Sequence, residues 1–197
     1  MFNDIVKYSE GKLKRILLIE DNDIESSQIS RFMANEQLVQ IDTATSGKEG
    51  LHRIKQNVYD CIILDFMLPD TSGMDLVIEI AEINKTQFTP VIIYSAKDFK
   101  PREKALLKQY ANRILLKDVN SLELLLDEVV THVHLDHKYL LPQQRKIIES
   151  LRSREDILVD KTVLVVDDDV RNLFALTTAF ERHSMKVITA ESGQEAI

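Results

Sequence analysis

The amino-acid sequence predicts an α/β fold in which helices cover both faces of a doubly wound, five-stranded parallel sheet. Five short apolar runs alternate with five segments of helical periodicity within about 120 residues, which indicates repeated β-α units. The runs are continuous rather than alternating, as is typical of strands buried on both faces. In such sheets the ligand site lies at the carboxyl ends of the strands, so the residues that follow each strand are the candidates for function.

The five predicted strands are rich in β-branched and aliphatic side chains. The first covers residues 15–19 and is followed directly by two acidic residues. A weaker run covers residues 39–44, and stronger runs cover residues 59–64, 90–94 and 113–116. Each run is short enough to favour a strand over a helix.

Segments with apolar residues at helical spacing lie between these strands. They cover residues 24–35, 47–55, 73–82, 101–110 and 121–135. Ser46 is a candidate N-cap for the second helix, and Asn120 or Ser121 for the fifth. Pro101 suits the first turn of the fourth helix, where its missing N–H is not needed.

Composition excludes several classes of protein. Of the 197 residues, 44% are hydrophobic and 29% charged, which is typical of a soluble globular chain. A net charge of −7 argues against binding to nucleic acid or to an anionic membrane surface. No apolar run reaches the roughly 18 residues of a membrane span, so we expect a cytoplasmic protein without direct membrane contact. The single cysteine, Cys61, excludes a disulfide framework within the chain.

An internal repeat indicates a second domain of the same kind. The apolar run before Glu20 and Asp21 recurs at residues 162–166 before Asp167 and Asp168. A Ser-Gly pair follows the second strand of each copy at nearly the same spacing. We therefore expect an N-terminal linker (1–12), a complete domain (13–135), a linker with a helix over residues 142 to about 153 (136–160), and the truncated start of a second copy (161–197).

The second copy carries apolar residues that a complete domain would cover. They lie in the strand at residues 163–166 and at Leu173, Leu176 and Phe180 of the following helix. Exposed apolar surface of this kind favours association. We expect this face to be buried against the first domain, the linker helix or a second copy of the chain, most simply in a homodimer.

Polar residues follow four of the five strands: Glu20 and Asp21, then Asp65, Ser95 and Lys117. Three carboxylates at one edge of a sheet repel one another unless a cation neutralises them, and oxygen ligands suit Mg²⁺. A lysine and a serine hydroxyl beside them are suitable partners for a phosphoryl group. A carboxylate can accept that group as an aspartyl-phosphate.

Residues 13–135 resemble the receiver domain of two-component response regulators, the CheY-like family with a flavodoxin-like fold. The separations of 44 residues from Asp21 to Asp65, 30 from Asp65 to Ser95 and 52 from Asp65 to Lys117 fit that family. The resemblance implies that Asp65 is the phosphoacceptor. It also implies roles for the acidic pair Glu20 and Asp21, the backbone carbonyl of Met67 in the metal shell, the hydroxyl of Ser95 and the ammonium of Lys117.

The resemblance implies a signalling role rather than an enzyme. Asp65 would accept a phosphoryl group, with Mg²⁺, from the phosphohistidine of a histidine kinase or a histidine phosphotransfer domain. The alternative is a pseudo-receiver that is never phosphorylated and acts as a docking domain. It stays open because Ile114 stands where the family usually has an aromatic residue, and Asp118 where it commonly has proline.

Residues 161–197 resemble the first third of a second receiver. Asp167 and Asp168 match its acidic pair, and the sequence from Asp169 through Arg171 and Asn172 is typical of receivers in hybrid sensor histidine kinases. The resemblance therefore implies tandem receivers from such a kinase, without a kinase core in this chain.

Overall fold

The computed structural model describes residues 13–35, 38–84 and 88–196 of the chain. They fall into two compact units, Met1–Arg145 and Lys146–Ile197. The predicted N-terminal linker, residues 1–12, lies outside the described residues. Within the described ranges, no helix has both the length and the apolar character needed to cross a lipid bilayer.

The first unit contains a five-stranded parallel sheet, which confirms the predicted fold class. Its strands are β1 (Lys14–Ile19), β2 (Val39–Ala44), β3 (Cys61–Leu64), β4 (Val91–Ser95) and β5 (Arg113–Leu116). They are arranged in the order β2-β1-β3-β4-β5, and every neighbouring pair is parallel. The order reverses at β1 and β3, which is where doubly wound sheets carry their sites.

Five helices connect these strands and cover both faces of the sheet. They are α1 (Asp23–Met33), α2 (Gly47–Gln56), α3 (Gly73–Asn84), α4 (Pro101–Leu107) and α5 (Ser121–His132). One core cluster joins Leu17 and Ile19 to residues of α2 and α3, and the other joins Ile16 and Leu18 to residues of α1 and α5. Successive side chains of β1 point to opposite faces, so each face is buried under its own helices.

Helix α5 ends three residues before the predicted boundary at residue 135. His134 has a φ of 54°, which is the left-handed conformation that stops a helix. The N–H of His134 donates to the carbonyl of Thr131, and the N–H of Leu135 donates to the carbonyl of Val130. These two bonds close a Schellman motif without glycine, so the sequence carried no ordinary stop signal there.

The segment after α5 packs on the first unit, whereas the sequence predicted that a linker begins at residue 136. The side-chain amide of Asn35 donates to the carbonyl of Tyr139 at 3.2 Å, and that of Gln144 donates to the carbonyl of Phe32 at 3.2 Å. Leu140 is buried. The helix predicted for residues 142–153 is longer, and forms α6 (Pro142–Leu158).

The second unit repeats the β1-α1-β2 arrangement of the first. It consists of β6 (Thr162–Val166), α7 (Val170–Glu181) and β7 (Lys186–Ala190), and the two strands form a parallel two-stranded sheet. Val165, Leu173 and Ala190 are buried, whereas Leu164 and Leu176 are exposed. The burial of this apolar face, most simply in a homodimer, stays a prediction.

Candidate functional site

The parallel sheet brings the predicted site residues to one edge of the first unit. The ladder of backbone hydrogen bonds continues past the strand ends, because the N–H of Asp65 donates to the carbonyl of Ile19 at 2.9 Å. In the same way, the N–H of Lys117 donates to the carbonyl of Ser95 at 2.9 Å. The positions of these residues are therefore set by the backbone of the sheet.

Lys117 lies at the centre of this edge and is bonded to three carboxylates. Its Nζ is 2.8 Å from Oε2 of Glu20, 2.8 Å from Oδ2 of Asp65 and 2.7 Å from Oε2 of Glu25. The side chains of Glu20 and Asp65 are only 2% and 8% exposed. An ammonium in this position neutralises charge that would otherwise be buried without a counter-ion.

The ionisation of these groups follows from burial and pairing. Burial raises the pKa of Glu20 above its usual value, although the bond from Lys117 opposes this shift. Burial by itself would lower the pKa of Lys117, but the bonds to Asp65, Glu20 and Glu25 outweigh it and raise that pKa. Lys117 is therefore a permanent cation at physiological pH.

Glu20, Asp21 and Asp65 form a cluster of oxygen ligands, which we call the carboxylate cluster. One carboxylate oxygen from each lies within 4.8 Å of the others, a spacing that suits a hard divalent ion. Asp21 is exposed to solvent, while the other two are buried. The residue types and their spacing fit Mg²⁺, and the exposed Asp21 is accessible from solvent.

Asp65 is held from two sides. Its Oδ1 accepts a hydrogen bond from the backbone N–H of Met67 at 2.9 Å, and its Oδ2 accepts from Lys117. Both bonds fix the orientation of the carboxylate. The metal-binding role of the Met67 carbonyl stays a prediction.

Ser95 is fully buried at the end of β4. Its Oγ accepts a hydrogen bond from the backbone N–H of Lys97 at 3.4 Å, which ties the loop after β4 to this edge of the sheet. The hydroxyl is thus engaged in holding its own loop. Its contact with a phosphoryl group stays a prediction.

Two residues of this region were not predicted from the sequence. Asn22 caps α1, since its Oδ1 accepts from the N–H groups of Ile24 and Glu25 at 3.0 and 3.3 Å. Glu25 then reaches Lys117 from the first turn of α1. The spacing of Asn22 and Glu25 resembles a capping box, and this pattern was the sequence signal that could have identified both residues.

The residue that follows Asp65 belongs to an aromatic pair. The next residue, Phe66, packs edge-to-face against Phe99 with 4.8 Å between ring centroids. The ammonium of Lys97 lies 5.1 Å and 5.2 Å from the two ring centroids. Ile114, where the family usually has an aromatic residue, lines a cavity of about 70 Å³ together with Phe99 and Lys97.

We expect Gly73→Ala to destabilise the first unit through Phe66. A Cβ at position 73 would lie 2.3 Å from the Phe66 carbonyl oxygen and 2.6 Å from its ring, so the backbone beside Asp65 must shift. The free energy of unfolding should fall by about 2 kcal/mol and Tm by about 4–8 °C. Thermal unfolding of Gly73→Ala and of Gly193→Ala, whose Cβ would meet nothing within 4 Å, measures the effect. Equal Tm values would contradict it.

The acidic pair of the second unit is arranged differently. Oδ1 of Asp167 accepts from the N–H of Asp169 at 2.8 Å and from the side-chain amide of Asn172 at 3.3 Å, and Asp168 is exposed. Among the side chains that the structure describes in this unit, no third carboxylate, histidine or cysteine joins this pair. The candidate metal site is therefore the carboxylate cluster of the first unit.

Comparison with known protein families identifies the first unit. The model of the response regulator receiver domain matches residues 16–129. Among curated proteins, the regulatory protein VanRB of Enterococcus faecalis is 29% identical over 140 residues, which cover 68% of this chain and 63% of VanRB. The response regulator ArlR of Staphylococcus aureus is 32% identical over 116 residues, 57% of this chain and 50% of ArlR. The chain thus spans between half and two thirds of the length of these relatives.

Two solved structures match the same region. The Francisella response regulator 1452 receiver domain is 28% identical with a TM-score of 0.52, and the match covers 61% of this chain and 97% of that one. The response regulator TrrA of Thermotoga maritima, solved in complex with Mg²⁺-BeF, is also 28% identical with a TM-score of 0.51. That match covers 61% of this chain and 99% of TrrA.

Proposed function

The chain belongs to the response regulator receiver domain family, and on this premise we propose that Asp65 accepts a phosphoryl group in a two-component phosphorelay. The observation that carries the proposal is the pairing of the buried Asp65 carboxylate with the ammonium of Lys117 at 2.8 Å. This pairing places a nucleophile and a fixed positive charge at the same point. The pseudo-receiver alternative has less support, because a docking surface does not require such a pair.

In the proposed step, a carboxylate oxygen of Asp65 attacks the phosphorus of a phosphohistidine. The new O–P bond forms as the P–N bond breaks, and its electron pair stays on the imidazole nitrogen, which then takes a proton from solvent. The Met67 N–H and Lys117 hold Asp65 in place, and Lys117 can neutralise charge on the phosphoryl oxygens. Phosphoryl transfer depends mainly on this positioning and charge compensation.

Glu20, Asp21 and Asp65 would hold Mg²⁺, together with the backbone carbonyl of Met67. When bound, the ion neutralises the carboxylate cluster and the phosphoryl oxygens. The 4.8 Å grouping of the carboxylate oxygens supports this assignment, and so does the Mg²⁺-BeF complex of the similar TrrA.

We propose a histidine kinase or a histidine phosphotransfer domain as the phosphodonor. The repeat in the second unit, with Asp167 and Asp168 after β6, supports an origin in a hybrid histidine kinase with tandem receivers. Homodimer formation and a cytoplasmic location remain predictions of the sequence.

Incubation of the chain with acetyl phosphate, with and without Mg²⁺, tests the proposed function. Intact-mass measurement should find one added phosphoryl group, and only when Mg²⁺ is present. A chain that stays unmodified at saturating Mg²⁺ would support the pseudo-receiver instead.

The two members of the acidic pair should differ in their effect on Mg²⁺ binding. Asp21→Ala removes the exposed ligand and should weaken Mg²⁺ binding on the order of tenfold. Glu20→Ala should have a smaller effect, because Glu20 is already bonded to Lys117 and to the N–H of Asn22. Calorimetric titration of both variants with Mg²⁺, with Asp118→Ala as an exposed control, decides the ranking. Equal or reversed losses would contradict it.

A further inference from the structure

Lys117 has no spare hydrogen-bond donor. An ammonium carries three N–H groups, and the Nζ of Lys117 lies within 2.8 Å of three different carboxylates. While Asp65 is still a carboxylate, an approaching phosphoryl donor can therefore gain a bond from Lys117 only if one of those three carboxylates releases it.

Glu25 differs from the other two partners in position and burial. It belongs to helix α1 rather than to a strand end, and its side chain is 40% exposed, against 2% for Glu20. A carboxylate that can be hydrated gives up an ion pair more readily than a buried one. Glu25 is thus the partner that Lys117 can leave most easily.

The site nevertheless orients Glu25 toward Lys117. The side-chain amide of Asn22 donates to Oε1 of Glu25 at 3.2 Å, which leaves Oε2 for Lys117 at 2.7 Å. The backbone N–H of Asn22 meanwhile donates to Oε1 of Glu20 at 3.3 Å. One N-cap residue therefore connects Glu25 to the carboxylate cluster.

The second unit has a polar residue at the matching helix position, and there it contacts the acidic pair directly. Asn172 lies as far beyond Asp167 as Glu25 lies beyond Glu20. Its side-chain amide donates to the two carboxylate oxygens of Asp167 at 3.3 and 3.2 Å. A neutral amide thus stands in the second unit where the first has an anion.

We propose that Glu25 is a positioning residue that holds the third N–H of Lys117 until a phosphoryl group displaces it, and so slows phosphorylation of Asp65. This inference rests on the proposed function. Glu25 competes with the phosphoryl oxygens for the same donor, and its charge repels an incoming phosphate dianion. It also offsets the charge of Lys117 and thereby favours Mg²⁺ at the carboxylate cluster.

Glu25→Gln removes the charge but keeps an oxygen that can accept from Asn22. At saturating Mg²⁺, its initial rate of labelling by acetyl phosphate should rise about three- to tenfold over that of the unmodified sequence. Its dissociation constant for Mg²⁺, measured by calorimetry, should rise about twofold or more, because Lys117 then opposes the ion more strongly. A residue with only a structural role would not move these two quantities in this way.

Asp23→Asn is the matched control. It removes the same charge from the same first turn of α1, but Asp23 is exposed and makes no ion pair within the described part of the chain. Its initial labelling rate and its dissociation constant for Mg²⁺ should both stay within about 1.5-fold of the values for the original sequence. Thermal unfolding should show all three proteins folded.

Each outcome decides the inference. A rate for Glu25→Gln equal to that of Asp23→Asn, or below that of the original sequence, overturns it. If no protein is labelled, the proposed function fails, while the Mg²⁺ titrations still test the link between Glu25 and Lys117. Equal dissociation constants for Mg²⁺ in Glu25→Gln and Asp23→Asn would then overturn that link as well.

Discussion

Asp65→Asn should abolish phosphorylation by acetyl phosphate. The amide lacks the anionic oxygen that attacks phosphorus, whereas it can still accept the hydrogen bond from the Met67 N–H that orients residue 65. The substitution also leaves the strand end in place, because the backbone bond from residue 65 to Ile19 is unaffected. Intact-mass measurement with acetyl phosphate and Mg²⁺ should find no adduct on the variant.

Asp98→Asn is the matched control for this result. Asp98 has a side chain that is 82% exposed and forms a surface ion pair with Lys104, so labelling should match that of the original sequence. Labelling of Asp65→Asn to the original extent would show that another residue, for example in the second unit, is the acceptor.

Lys117→Met should impair both chemistry and stability. Loss of the ammonium removes the fixed positive charge beside Asp65, and labelling should slow on the order of a hundredfold. The buried carboxylates of Glu20 and Asp65 would also lose their counter-ion, which should lower the free energy of unfolding at pH 7 by about 2 kcal/mol. Urea unfolding and labelling kinetics measure the two effects.

The stability loss of Lys117→Met should depend on pH. The pKa of Glu20 is raised, mainly by burial, so its carboxyl takes up a proton at a higher pH than an exposed glutamate. A protonated carboxyl needs no counter-ion, and the difference from the original sequence should therefore shrink as the pH falls toward and below that raised pKa. A difference that grows on acidification would contradict this account.

Mg²⁺ should restore part of the stability that Lys117→Met loses. Without the ammonium, the carboxylate cluster has more uncompensated negative charge, and Lys117→Met should bind Mg²⁺ about tenfold more tightly. Lys104→Met is the control for the stability loss. It removes a lysine from an exposed ion pair with Asp98, so the free energy of unfolding should change by less than about 0.5 kcal/mol. A Mg²⁺ affinity of Lys117→Met at or below the original value would disprove the electrostatic argument.

The sequence by itself determined the sheet and most of the site. Continuous apolar runs mark strands that are buried on both faces, and in a parallel sheet their carboxyl ends meet at one edge. Glu20, Asp65 and Lys117 each follow such a run, so their convergence could be predicted without coordinates. The repeat likewise predicted the β6-α7-β7 arrangement of the second unit.

Only the tertiary structure decided where some elements end. Helix α5 stops at a left-handed His134, a conformation that the residue type does not signal. The polar segment after it resembles a linker in composition, yet Leu140 and Gln144 pack on the first unit. Periodicity reports which face of an element is apolar, but not which distant backbone carbonyl a polar side chain will reach.

The tertiary structure also decided which groups surround Lys117. Glu25 and Lys117 are 92 residues apart, and Glu25 follows no strand, so no rule about strand ends includes it. Its place depends on how α1 packs beside α5 on one face of the sheet, together with the Asn22 cap, whose side-chain amide donates to the Glu25 carboxylate. Local sequence encodes the cap and the helix, whereas contact across the fold depends on the three-dimensional packing of both elements.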